Sequence, residues 1–102
     1  MIKIRVFCQN GATTNMLVAK MKKYAEVKGY ASDIQAFPYA TIGENASDAD
    51  VILLAPQVRF KAEGLEKEYP DKKVMVVETT DYGMMAGDKV LEKIITQLER
   101  KE

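Results

Sequence analysis

The stretch "IKIRVFCQNGATTNMLVAKMKKYAEVKGY" (residues 2–30) changes its hydrophobic period partway along, and that change decides the fold. In "IKIRVF" (2–7) the residues Ile2, Ile4 and Val6 alternate onto one face, as in a strand. In "TTNMLVAKMKKYAEVK" (13–28) the residues Leu17, Met21, Tyr24 and Ala25 recur along one helical stripe, with lysines opposite. Gly29 is a suitable stop, and Lys20, Lys22, Lys23 and Lys28 favour the negative end of the helix dipole. Between strand and helix lies "CQNGATTN", with the only cysteine of the chain at its head. No charged side chain occurs between Arg5 and Lys20.

The same alternation continues downstream. "SDIQAFP" (32–38) reads as a weaker strand closed by Pro38. "VILLA" (51–55) is a continuous apolar run, as expected for a strand covered on both faces of a parallel sheet. "FKAEGLEKEY" (60–69) reads as a modest helix, "KVMVVE" (73–78) as a further strand and "KVLEKIITQLERKE" (89–102) as a closing helix. The order β-α-β-(loop or short helix)-β-α-β-α predicts an open α/β sheet with right-handed crossovers. Lys3 and Arg5 are at odds with a covered first strand. Their stems are expected to lie under helices with the charges reaching out.

At 102 residues the chain is expected to form a single domain over 1–102. Fifteen acidic residues balance fifteen basic ones, which argues against an electrostatic grip on nucleic acid. One cysteine cannot form an intramolecular disulfide, and the apolar run after Ile2 is too short and too interrupted to insert in a membrane. There is no histidine. That removes Ser-His and Cys-His dyads, phosphohistidine carriers and ordinary histidine-containing zinc sites together. No metal and no cofactor is expected.

In an open α/β sheet, ligands gather beyond the carboxyl ends of the strands. Cys8 falls there, with Pro38 and Tyr39, Pro56 and Gln57, and "TTDYG" (79–83) ending the other strands. A cysteine is often only a buried core residue. On a strand-to-helix corner, followed by Gly11 and Thr13-Thr14, a functional thiol is the favoured reading. Unpaired amides at the helix start form an anion pocket, Gly11 lets an anion approach the backbone, and the threonines add hydroxyls or cap the helix. A thiol at the lip of such a pocket shares the field that binds phosphate, and that field favours the thiolate. Amides and hydroxyls without a guanidinium suit a carrier that passes a phosphoryl group onward.

Three readings follow. The first is a phosphocysteine carrier. The second is a hydrolase like the low-molecular-weight phosphatases or arsenate reductases, with Asp81 as general acid. It lacks the loop arginine, whose place counted from Cys8 is taken by Thr14, and it lacks resolving cysteines. The third is a non-catalytic regulatory module of the same fold. A P-loop nucleotide site is disfavoured because the GKS/GKT ending is missing.

"FCQNGATTNMLVAKM" resembles the phosphocysteine loop of IIB components of the bacterial phosphoenolpyruvate-dependent sugar phosphotransferase system, of the lactose/cellobiose/chitobiose type. Their pattern is Cys-x-x-Gly-x-Ser/Thr-Ser/Thr-Ser. "AFP" (36–38), "DADVILLAPQV" (49–58) and "DYGMMAGDKVL" (81–91) stand in the order of that family's later landmarks. The resemblance implies a four-stranded parallel sheet of order 2-1-3-4, helices on both faces, and a phosphatase-like P-loop after the first strand. It implies that Cys8 takes a phosphoryl group from a histidine of a cognate IIA protein. The group then passes to a sugar held by the membrane transporter IIC, with a β-linked disaccharide such as cellobiose, chitobiose or lactose as cargo. Gln9, Asn10, Gly11, Ala12, Thr13, Thr14 and Asn15 would wrap the phosphate, and Tyr82 and Gly83 would lie beside the loop as partner or rim contacts. The protein would be cytoplasmic, associating peripherally with the transporter. Asn15 departs from the family's usual serine, exchanging a hydroxyl for an amide donor. Met84 and Met85, just past the rim, offer an adaptable apolar surface for docking.

Overall fold

The structure is a computed structural model that describes residues 1–9 and 12–99, with the backbone alone for 12 and 13. Strand β1 (Ile2–Cys8) leads into helix α1 (Ala12–Lys28), which leads to β2 (Ser32–Pro38). A 3-10 turn over Tyr39–Thr41 and the short α2 (Ile42–Asn45) precede β3 (Val51–Leu54). A 3-10 stretch, Pro56–Lys61, then continues into α3 (Ala62–Glu68). Strand β4 (Lys73–Val76), the short α4 (Thr79–Gly83) and α5 (Gly87–Glu99) complete the described chain.

The strands form one parallel sheet of order β2-β1-β3-β4. This is the order that the sequence resemblance implies. Register fixes which side chains share a face: Ile4 lies beside Ile34 and Val51, and Val6 beside Ala36 and Leu53. These residues pack with Leu17, Met21 and Ala25 of α1 and with Val90, Leu91 and Ile94 of α5. The opposite face carries Phe7, Ile52 and Leu54 against Ala46, Val58 and Leu65. Both faces of β3 are buried, which accounts for its unbroken apolar run. β4 is only half-buried because it is an edge strand.

Local chemistry sets the ends of α1 and α5. Gly29 takes a left-handed φ of 77°, with Tyr30 N–H donating to the Ala25 carbonyl at 2.9 Å and Gly29 N–H to Glu26 at 3.3 Å. Those two bonds form a Schellman motif, which needs a residue tolerant of positive φ. Gly87 answers a different demand. A Cβ there would stand 2.7 Å from the backbone nitrogen of Met21, so α5 can meet α1 only with glycine at the contact.

Arg5 corrects an expectation. Its guanidinium does not reach out to water but is buried, donating to Asp33 Oδ2 at 3.2 Å and to Asp48 Oδ2 at 3.1 Å. Nη1 donates to the Asp33 carbonyl at 2.9 Å. Position 5 is thus charged inside a covered strand because two acids, 28 and 43 residues away, close over it. The final helix is found over Gly87–Glu99, two residues earlier than expected, and its last expected residues, 100–102, lie outside the described chain.

Candidate functional site at the carboxyl ends of the strands

Cys8 is the last residue of β1, a strand with a neighbour on each side, and it pairs in register with Pro38 at the end of β2. Ala55 N–H continues the ladder onto the Phe7 carbonyl at 2.9 Å, and Val77 N–H onto that of Leu54 at 2.9 Å. All four strand ends therefore converge on one edge, as expected of Cys8, Pro38, Pro56 and the segment after β4. Helix α1 begins at Ala12, four positions after the cysteine. This is the predicted corner geometry.

The cysteine lies deeper than predicted. Cys8 is 1% exposed, so it is not at the lip of an open pocket. Side-chain alternation explains this: position 8 shares the face of Ile4 and Val6, the face covered by α1 and α5. Gln9 is exposed, and so is Asn15. Asn10 and Gly11, expected to line the loop, lie outside the described residues, as do the side chains of Ala12 and Thr13.

Thr14 sits within the first turn of α1, not at a capping position, and is fully buried. Its Oγ1 lies 3.1 Å from the hydroxyl of Tyr82, a bond in which either oxygen can donate. Tyr82 belongs to α4, a five-residue helix where the sequence reading assigned no element. Asp81 beside it is buried, and Lys93 Nζ of α5 donates to its Oδ2 at 2.7 Å while reaching Glu78 at 3.2 Å. The hydrogen bonds to Asp81 and then Glu78 raise the Lys93 ammonium above its ordinary value. Asp81 is thus tied to a cation, which does not suit the general-acid role in the hydrolase reading.

Helix α4 closes with Ala86 N–H on the Asp81 carbonyl at 2.9 Å and Met85 N–H on that of Tyr82 at 3.2 Å. Met85 takes the left-handed position of this motif, with φ of 52°. Met84 is left 67% exposed on the outer side, and a Cβ on Gly83 would meet open space. Local periodicity could not reveal α4, because five residues hold little more than one helical turn. The Thr14–Tyr82 and Asp81–Lys93 contacts escaped sequence reading for a second reason: they join separate elements. Among the described residues no cluster of His, Cys, Asp or Glu is suited to a metal. No helix among them is long and apolar enough to cross a membrane.

A covered parallel sheet with its cysteine corner at the carboxyl rim defines an open α/β domain of the type that binds ligands beyond its strand ends. The lactose/cellobiose-specific IIB subunit family of the PTS system matches residues 3–93, and the chain belongs to that family. It is 34% identical over 98 residues to the oligo-beta-mannoside-specific EIIB component of Bacillus subtilis, covering 94% of this chain and 95% of that protein. It is 41% identical over 95 residues to the galactose-specific EIIB component of Lactococcus lactis subsp. cremoris, covering 86% and 88%. The cellobiose-specific EIIB component of Lactococcus lactis subsp. lactis gives the same identity and coverage. Among solved structures, the lactose-specific IIB domain from Streptococcus pneumoniae superposes with a TM-score of 0.84 at 18% identity, covering 93% of this chain and 95% of that one. The cellobiose-specific IIB protein from Borrelia burgdorferi gives 0.74 at 37% identity, covering 93% and 89%.

Proposed function

We propose that this chain, acting as one unit over 1–102, carries a phosphoryl group on Cys8 between a IIA phosphohistidine and a sugar bound to a IIC transporter. The observation that carries this reading is the position of Cys8. In a chain of the IIB family, the only cysteine ends an inner strand and stands four positions before the start of a long helix. The Cys8 sulfur attacks phosphorus as thiolate, an S–P bond forms, and the P–N bond to the donor histidine breaks with its electron pair returning to nitrogen. A sugar hydroxyl oxygen then attacks phosphorus, its proton passes to solvent or a partner base, and the thiolate leaves. No step requires a histidine or a metal from this chain.

Main-chain amides from Gln9 to Asn15 hold the phosphoryl oxygens, with Gly11 allowing close approach and Thr14 adding a hydroxyl. An uncharged cradle holds the group without the strong pairing that a guanidinium would bring. Because Cys8 is covered, exposure of the sulfur accompanies docking of the donor. Tyr82 and Gly83 border the loop. The cargo is a β-linked disaccharide such as cellobiose, chitobiose or lactose. This is in keeping with the cellobiose and oligo-beta-mannoside named for two of the relatives, though not with the galactose named for a third. The carrier works in the cytoplasm, peripheral to the transporter.

The reading is tested by incubating the chain with phosphoenolpyruvate and the upstream phosphotransfer proteins and following acid–base lability of the product. A phosphothiol that forms stoichiometrically and discharges when transporter and sugar are added supports it. Continuous release of inorganic phosphate by the chain alone would favour a hydrolase.

A further inference from the structure

We propose that Tyr82 is a positioning residue for the phosphocysteine site, acting through the hydroxyl of Thr14; the inference rests on the phosphocarrier reading above. The bond between them spans 3.1 Å and joins α4 to the first turn of α1, residues 68 apart in the chain. Thr14 is fully buried, so its hydroxyl cannot exchange this partner for bulk water. α4 is itself held from behind, because Lys93 of α5 grips both Asp81 and Glu78. α4 thus links the two contacts: its acids are held by Lys93 of α5, and its Tyr82 holds Thr14 in the opening turn of α1.

Donor arithmetic gives the pair a second property. Two hydroxyls carry two hydrogens, and the bond between them uses one. When Tyr82 donates, the hydrogen of Thr14 is left to turn toward a phosphoryl oxygen at the helix start. When Thr14 donates, the hydrogen of Tyr82 is left instead. A phenylalanine at 82 removes the bond in both arrangements and leaves the Thr14 hydroxyl without the partner that orients it, and a valine at 14 removes the hydroxyl while keeping a side chain of similar size.

The test measures steady-state phosphoryl transfer through the chain, from the cognate IIA protein charged from phosphoenolpyruvate to sugar on the IIC transporter, for wild type, Tyr82→Phe, Thr14→Val, Thr14→Ser and the Thr14→Val/Tyr82→Phe pair. The expected result is a fall in kcat of about tenfold for Tyr82→Phe and for Thr14→Val, the size of one lost hydrogen bond to a charged group, with KM for the donor unchanged. Thr14→Ser keeps kcat near wild type, and the double variant is no slower than either single one. Wild-type kcat in Tyr82→Phe, or in Thr14→Val, overturns the proposal, as does a double variant whose loss is the product of the two. A residue that only stabilises the fold would lower Tm and leave kcat intact. Should Tyr82→Phe fail to fold, the contrast between valine and serine at 14 decides. A wild-type chain that takes up no phosphoryl group overturns the phosphocarrier reading and this inference together, whereas wild-type uptake with unaffected variants overturns this inference alone.

Discussion

The two ends of the sheet are held together by different chemistry. Toward the amino ends of β2 and β3, charge does the work. Arg5 is buried between Asp33 and Asp48, and Lys72 Nζ donates to the carbonyls of Ser47 at 2.9 Å and Ala49 at 2.8 Å. At the carboxyl ends the stretch from Val6 to Ala19 has no charged side chain. α1 is fixed there by a hydroxyl pair and by backbone contact at Gly87. An ion-pair cluster at that end, Lys93 with Asp81 and Glu78, secures α4 from α5. Permanent charges serve where geometry must never change. A site that takes and releases an anion is better left to amides and hydroxyls, whose hold is weaker and reversible.

Breaking the charged end should have the largest effect. Replacing both acids, Asp33→Ala with Asp48→Ala, strands a buried guanidinium and should lower Tm by about 15 °C, whereas Arg5→Met, which leaves two hydrated acids, should lower it by about 5 °C. Equal losses in the two variants would show that the buried cation is not the costly partner. Thermal denaturation at neutral pH measures both. At the carboxyl end, Gly87→Ala places a methyl group against the α1 backbone and should lower Tm by about 10 °C. An unchanged Tm there would mean that α1 and α5 are not in the close contact described.

Lys93→Met tests the join behind α4 and should lower Tm by about 5 °C, because Asp81 stays buried without its cation. The smallest effects lie in the pH dependence. The hydrogen bond from Arg5 holds the Asp48 carboxyl below its ordinary value, and hydrogen bonds from Gln35 and then Arg5 do the same for Asp33. Folding thus favours the ionised acids. The stability they add is complete above their unfolded values near pH 4 and is lost as pH falls through the folded ones. Arg5→Met should flatten this acid limb. At the far end of α1 the sign reverses. Tyr24 donates to Glu92 at 2.6 Å, and this bond, with burial, pushes its phenol up to about 12. The neutral phenol is favoured by folding, so stability is intact below about pH 10 and lost as pH rises toward 12. Tyr24→Phe should remove part of that alkaline loss in a Tm–pH series, and an unchanged series would contradict the assignment.

What the sequence disclosed follows from the range of each interaction. β1, α1 and β2 lie close to where periodicity puts them, because alternation, a helical stripe and Gly29 are local signals. β3 was legible because a strand covered on both sides has no polar face. The strand order came from family resemblance. Arg5 read as a wet position because its acids are distant in the chain, and α4 was not read as an element because one turn carries no period. At the site, the corner itself was legible from Cys8 and the switch of period after it. The depth of Cys8 was not, since it depends on two helices arriving over its face. The pairing of Thr14 with Tyr82 was hidden for the same reason.

Intact-mass analysis bears most directly on the central claim that Cys8 carries the phosphoryl group. After incubation with phosphoenolpyruvate and the upstream phosphotransfer proteins, wild type should gain the mass of one phosphoryl group and Cys8→Ser should gain none. A wild-type mass that does not change, or an equal gain in the serine variant, would contradict the account.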